Sequence, residues 1–201
     1  MKPIDHIMKD MERDFFTPKM DQVYDRINDY QWSPFMNHGY KNINNTNVIN
    51  YHQEDLLWGN QINLYTHLLE VVKKYNINFN ELNLLDIGCG FGHGPHILKK
   101  YYNFKNVSAL DFNSSFINDA KSKFKEINYI HGTATDLPFE DNSFDIITNI
   151  ESLHHYKYTH FYYREAYRVL KPGGYLLMCD PFLPYRNDFM FVIISNELSS
   201  K

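Results

Sequence analysis

Only two cysteines, Cys89 and Cys179, occur among the 201 residues, so no disulfide framework holds this chain together. Each lies in or beside an apolar run, which suits a small buried thiol in a reducing, cytoplasmic setting. Basic runs are missing as well, and the formal charge is -4. Nucleic acid is therefore not an expected partner, because a phosphate backbone is tracked by clustered Lys and Arg. No stretch approaches the ~20 apolar residues of a membrane span. "FMFVII" at 189–194 is the longest compact apolar run. The N-terminus, "MKPIDHIMKDMERDFF", carries acids throughout and lacks the apolar core of a signal peptide. The ten histidines show no metal-ligand spacing, so no metal is expected. Tyr, Phe and an Asn-rich stretch at 42–50 are plentiful, and they read as compositional bias.

What is present is a change of period. Residues 1–30 read as one or two short helices, followed by an irregular, Asn-rich stretch. Residues 53–75 read as one long helix with a broad apolar stripe. From residue 82 onward strands and helices alternate. "LNLLDIG" is a strand and 91–102 a helix; "VSALDF" is a strand and 114–125 a helix. "INYIHG" and "FDIITNI" are strands, 159–170 is a helix, and "GGYLLMCD" is a fifth strand. Alternation of this kind predicts an α/β fold with a doubly wound, mostly parallel sheet and a ligand crevice at the strand C-termini.

The crevice end of the first strand reads "LLDIGCGFGHGPHIL". Gly88, Gly90, Gly92 and Gly94 stand at alternate positions there. Asp86 sits near the strand's C-terminal end, where the crevice is expected, and the glycines let the backbone turn sharply and approach a ligand. A dinucleotide fingerprint would place glycine where His93 stands, so the spacing points to a nucleoside-type ligand instead. Asp111 ends the second strand, where an acid can accept both hydroxyls of a ribose; its alternative role is a helix N-cap, which Asn113 or Ser114 could also supply.

"LLDIGCGFG", "ALDFN", "GTATDLPFEDNSFDIITNIESLHHY" and "EAYRVLKPGGYLLMCDPF", in this order, resemble the class I S-adenosylmethionine-dependent methyltransferases. The similarity is to the small-molecule type of quinone biosynthesis and natural-product O-methylation. It implies a Rossmann-like methyltransferase fold with an N-terminal helical lid in residues 1–52, where "FMNHGY" resembles a lid motif, and a cofactor-binding methyltransferase domain in 53–201. By the same resemblance Gly88, Cys89, Gly90 and Gly92 lie against the methionine part and ribose, and Asp111, with Phe112 beside it, meets the ribose hydroxyls. Thr133 and Ala134 face the adenine, Thr133 standing where relatives usually carry an acid. Ile150 and Glu151 flank the methionine moiety and the substrate mouth, and Tyr40 covers the cofactor's carboxylate.

For an oxygen acceptor the resemblance makes His155 the base, Asp180 its partner and Glu151 a support. The methyl acceptor is expected to be a small, apolar or amphipathic molecule. After residue 180 the remaining sequence is too short for the family's C-terminal strand hairpin, which leaves the domain C-terminally incomplete and the fifth strand an expected open edge. A truncated, non-catalytic domain that binds cofactor weakly or works through a protein partner is the alternative reading. A nicotinamide oxidoreductase is disfavoured by the glycine spacing.

Overall fold

The computed structural model describes residues 35–37, 49–75, 77–181 and 189–195. The expected N-terminal helices and most of the expected lid segment, Tyr40 included, lie outside them. The stripe at 53–75 divides into a 3-10 stretch, Gln53–Trp58, and helix α1, Gly59–Lys73. Helix α1 buries Ile62, Leu64, Leu68, Leu69 and Val72 on the sheet, at the helical spacing read in the sequence.

Strands β1 (Asn83–Ile87), β2 (Asn106–Asp111), β3 (Asn128–His131), β4 (Phe144–Ile150), β5 (Leu170–Pro181) and β6 (Phe189–Ser195) form one sheet in the order β3-β2-β1-β4-β5-β6. Between them run α2 (His93–Tyr102), α3 (Ser114–Lys123) and α4 (Thr159–Val169). The first five strands are parallel and both faces are covered. Side chains of β1 alternate between the two cores. Leu84 joins the cluster under α1, α2 and α3, whereas Leu85 and Ile87 join the cluster under α4. Strand order reverses between β1 and β4, and the crevice opens at their C-terminal ends.

Two expectations are corrected. The fifth strand is not an open edge: β6 pairs with it antiparallel from Tyr175↔Ser195 to Pro181↔Phe189. One antiparallel strand, rather than a hairpin of two, therefore follows β5 among the described residues. Strand β5 also begins earlier than read, at Leu170, because Lys171 and Pro172 continue the extended path before Gly173 turns at φ 77°.

The β3–β4 connection runs as turns, and one side chain holds it. Arg168 on α4 donates to the carbonyls of Leu137 (2.9 Å) and Phe139 (2.8 Å), to Asp141 (2.9 Å) and to Glu165 Oε2 (2.6 Å). Glu165 Oε2 in turn accepts the Leu137 amide at 2.9 Å. The Arg168 hydrogen bond, above all, keeps the Glu165 carboxyl below its ordinary value. A depressed carboxylate adds stability that is complete above the unfolded-state value near 4.3 and vanishes as pH falls through the folded one. Arg168→Met is expected to cost about 2 kcal/mol at neutral pH, since it strands buried carbonyls and a carboxylate. Urea melts from pH 3 to 8, a window of about five units around the carboxylate range, should also show a shallower acid limb in the variant.

Candidate active site

The start of the glycine loop is tied to the neighbouring strand. Gly88 N and Cys89 N both donate to Leu110 O, at 2.8 and 3.1 Å, and Gly90 N donates to Asp111 Oδ2 at 2.8 Å. Asp111 Oδ1 accepts the Asn113 amide at 2.9 Å. The cap of α3 is Asn113, which accepts from Ser115 N and Phe116 N, so Asp111 stands at the crevice and not in the cap. Burial pushes the Asp111 carboxyl up, and the amides of Asn113 and Gly90 pull against it. Each of its oxygens keeps a second lone pair for a ligand hydroxyl.

A cavity of about 280 Å³ opens over this loop. Gly88, Cys89, Gly90, Asp111, Phe112, Ala134, Ile150 and Glu151 line it, as do His154 and His155. Asp86, Gly92 and Thr133 are not among the lining residues. Gly92 is needed for packing: a Cβ there would come within 2.6 Å of the Tyr129 hydroxyl and 2.7 Å of Ala120. At Gly88 a Cβ would overlap Ser152. Gly90, at φ 53°, is the glycine whose Cβ would point into the lid segment, 2.8 Å from Met36 Sδ. Thr133 spends its hydroxyl on its own turn, paired with Thr135 Oγ1 at 2.8 Å and accepting Thr135 N at 3.1 Å.

On the acceptor side, Glu151 follows β4 in a left-handed conformation, φ 49°, and its amide donates to Cys179 O at 2.7 Å. The 3-10 turn Leu153–His155 comes next. Asp180, at the end of β5, accepts from Leu153 N (2.9 Å) and His154 N (3.4 Å) with Oδ2, and meets His154 Nδ1 at 2.8 Å with Oδ1. The expected pairing of Asp180 with His155 is thus corrected: the carboxylate caps the turn, and this brings the first histidine to it, not the second. The His155 ring lies against that of His154, centroids 3.8 Å apart and planes tilted by 57°. Burial, with His154 beside it, lowers the His155 pKa to about 4.

Sequence reading missed Ser152 and Tyr156. The Tyr156 hydroxyl accepts from Asn149 Nδ2 at 2.9 Å and lies 2.7 Å from Ser152 Oγ, under Gly88. Both line the cavity, and nothing in a one-dimensional pattern separates them from the quoted "ESLHHY". Tyr65, on α1, also lines it and reads in the sequence as ordinary core.

Asp86 is 1% exposed, and Thr148 Oγ1 donates to its Oδ1 at 2.6 Å. Its Oδ2 is buried without a hydrogen-bond partner, and burial raises the carboxyl to about 7. An orphaned acceptor beside a glycine loop is suited to a cationic ligand. Together with the free lone pairs of Asp111, it fits the ammonium, sulfonium and ribose of S-adenosylmethionine.

Residues 85–178 match the methyltransferase domain family model. The fatty-acid O-methyltransferase of Mycolicibacterium smegmatis is 37% identical over 48% of this chain and 36% of its own length. The phthiotriol/phenolphthiotriol dimycocerosates methyltransferase of Mycobacterium tuberculosis is 33% identical over 48% of this chain and 37% of its own. The matched region thus spans less than half of these curated relatives. Among solved structures, the YcgJ protein of Bacillus subtilis superposes with a TM-score of 0.53 at 31% identity, over 61% of this chain and 53% of that one. The sheet order, the cleft at its switch point and these matches make residues 85–178 similar, in fold and in sequence, to methyltransferase domains.

Proposed function

We propose that this protein transfers a methyl group from S-adenosylmethionine to a small lipid-like molecule. The observation that carries the reading is the loop Gly88–Gly90 held to a cleft-lining Asp111, opposite a second wall made of Glu151 and a histidine turn. The named relatives act on fatty acids and on phthiotriol-type lipids, which supports the lipid-like acceptor.

The roles follow from position. Asp111 takes the ribose hydroxyls on its unused lone pairs. Gly88, Cys89, Gly90 and Ile150 hold the methionine part and ribose, and Phe112 and Ala134 wall the adenine. Asp86 balances the cationic end from beneath the loop, Gly92 shapes the loop, and Thr133 stabilises the turn beside the adenine. Tyr40 would join the lid begun by Phe35–Asn37. When bound, the cofactor supplies a methyl already activated as an electrophile on a sulfonium. The chain's own work is to align the acceptor, to exclude water, and to take a proton on an imidazole of the Leu153–His155 turn, with Asp180 and Glu151 beside it.

Isothermal titration with S-adenosylhomocysteine tests the reading. Binding is expected, and Asp111→Asn should weaken it about 100-fold, because an amide cannot accept on both sides as the carboxylate does. A folded protein that ignores S-adenosylhomocysteine would sink the reading.

Asp86 makes a second prediction. Its folded-state pKa of about 7 lies above the unfolded value near 3.9, so its stability contribution is complete below about pH 4 and is lost as pH rises through about 7. Asp86→Asn should therefore flatten the fall in melting temperature between about pH 4 and 7, the roughly three units that separate the unfolded and folded values. A cation on the loop lowers the carboxyl's pKa. Cofactor binding near pH 7 should thus release up to about half a proton, detected as a buffer-dependent binding enthalpy that Asp86→Asn removes.

A further inference from the structure

Helix α4 buries Tyr162, Tyr163, Ala166 and Val169, which fix it to the sheet. Its opposite face, with the two residues that precede it, exposes Lys157, Tyr158, His160, Phe161, Arg164 and Tyr167. His160, Arg164 and Tyr167 recur at i, i+4 and i+7, and Phe161 stands beside Arg164 at i, i+3, so these four share one side of the helix. All six exposed residues are aromatic or basic. The helix's one acid, Glu165, is buried and bound by Arg168, so it does not offset the cations outside.

These side chains are also ordered. Tyr158, His160 and Phe161 form one group of rings, with centroids 6.1 Å apart for Tyr158–Phe161, 6.0 Å for Tyr158–His160 and 4.2 Å for His160–Phe161. Lys157 Nζ lies 5.1 Å from the Tyr158 ring centroid, and Arg164 Cζ lies 5.1 Å from that of Phe161. Each cation is thus held over a ring at the surface. Tyr158, Phe161 and Tyr167 are 49%, 37% and 41% exposed, three of the eight exposed large hydrophobic side chains among the described residues. A compositional bias toward Tyr and Phe would scatter such rings, whereas these stand together on one face.

Rings beside cations on the outer side of an anchored helix match the boundary of a lipid bilayer. Aromatic rings settle where headgroups meet acyl chains, and Lys and Arg stay in the headgroup layer. Tracking a polynucleotide takes more cations in a row, and a symmetric contact with a second copy would bring like charges together. The chain as a whole carries -4, so attraction to an anionic surface has to come from this face, which also orients the molecule on it. The patch begins at the cleft. Tyr158 follows the cleft-lining His155 by three positions, and α4 starts from the strand ends where the cleft opens.

We propose that the exposed face of α4 docks the protein on an anionic lipid surface. Lys157 and Arg164 meet headgroup phosphates, Tyr158 and Phe161 enter the boundary beneath them, and the cleft rim is held against the bilayer. The docking goes beyond the methyl-transfer reading and does not depend on it. Where that reading holds, docking brings the cleft to the place where a lipid-like acceptor resides.

The test is flotation of the full chain, without cofactor, on vesicles of phosphatidylcholine alone or with about one third phosphatidylglycerol. Binding to the phosphatidylglycerol vesicles should be at least about tenfold tighter, and should fall about tenfold as salt rises from about 0.05 to 0.5 M. Lys157→Gln with Arg164→Gln should weaken it about 25-fold, about fivefold for each cation removed. Tyr158→Ser with Phe161→Ser should weaken it about tenfold, at high salt as well, since that loss is apolar. The emission that Phe161→Trp adds to that of Trp32 and Trp58 should shift to the blue with phosphatidylglycerol vesicles and not with phosphatidylcholine alone.

A folded chain that ignores both vesicles, or binds the two equally, overturns the proposal. So does a Lys157→Gln, Arg164→Gln variant that binds as tightly as the unaltered chain. Retention on a single-stranded oligonucleotide, or a dimer that Phe161→Ser dissociates, overturns it when vesicles are not bound. The lipid and salt comparisons use the unaltered chain, so they decide even where a variant fails to fold. Failure to bind S-adenosylhomocysteine counts against the methyl-transfer reading alone.

Discussion

The cleft depends on one buried carboxylate that must find donors. Asp111 is 6% exposed, and burial disfavours its charge; it stays in place because Gly90 N and Asn113 N both point at it. With Leu110 O taking the amides of Gly88 and Cys89, four backbone donors from two connections converge on the end of β2. The loop after β1 and the start of α3 are thereby fixed to the same strand end. A ligand lying on the loop and touching Asp111 meets groups whose separation is set by the sheet, so little has to be ordered when it binds.

The lid segment is attached to this arrangement through aromatic contacts. The Phe35 ring lies 5.6 Å from His93 and 6.4 Å from Tyr65, and Asn37 Nδ2 donates to Gln61 O at 3.4 Å. Burial lowers the His93 pKa to about 4, so a neutral ring packs against Phe35 near neutral pH. Helices α1 and α2 therefore carry both the cleft wall and the seat of the lid. Walling the cleft and packing the core are thus tasks of the same side chains.

Much of this could be read from the sequence because it rests on local rules. The period change at residue 82, the glycines after β1 and the acid closing β2 each follow from strand, turn and crossover geometry, and each stands where expected. The residues that were misread depend on contacts made across the fold. Asp180 and the two histidines are separated by more than twenty positions, and which ring meets the carboxylate depends on how the turn after β4 is capped. Gly92 looks like its neighbours in the sequence, but Tyr129 and Ala120 fill the space that would admit a ligand. Thr133 looks able to accept from adenine until Thr135 takes its hydroxyl. Strand β6 went unassigned because an apolar run of that length fits a helix or a strand equally well, and only pairing with β5 decides.

That pairing matters to the chemistry. Asp180 is itself a rung of the β5–β6 ladder, opposite Met190, and the same residue holds the histidine turn on the other side of the sheet through β4's neighbouring end. An unpaired β5 would present open backbone groups at this point. The carboxylate that orients His154 would then fluctuate with the fraying strand end. Methyl transfer asks for alignment rather than covalent help, and small displacements of a positioned group cost rate steeply. The antiparallel strand closing the sheet thus also sets how firmly the histidine turn is held, while the glycine loop, anchored three strands away at β2, is insulated from it.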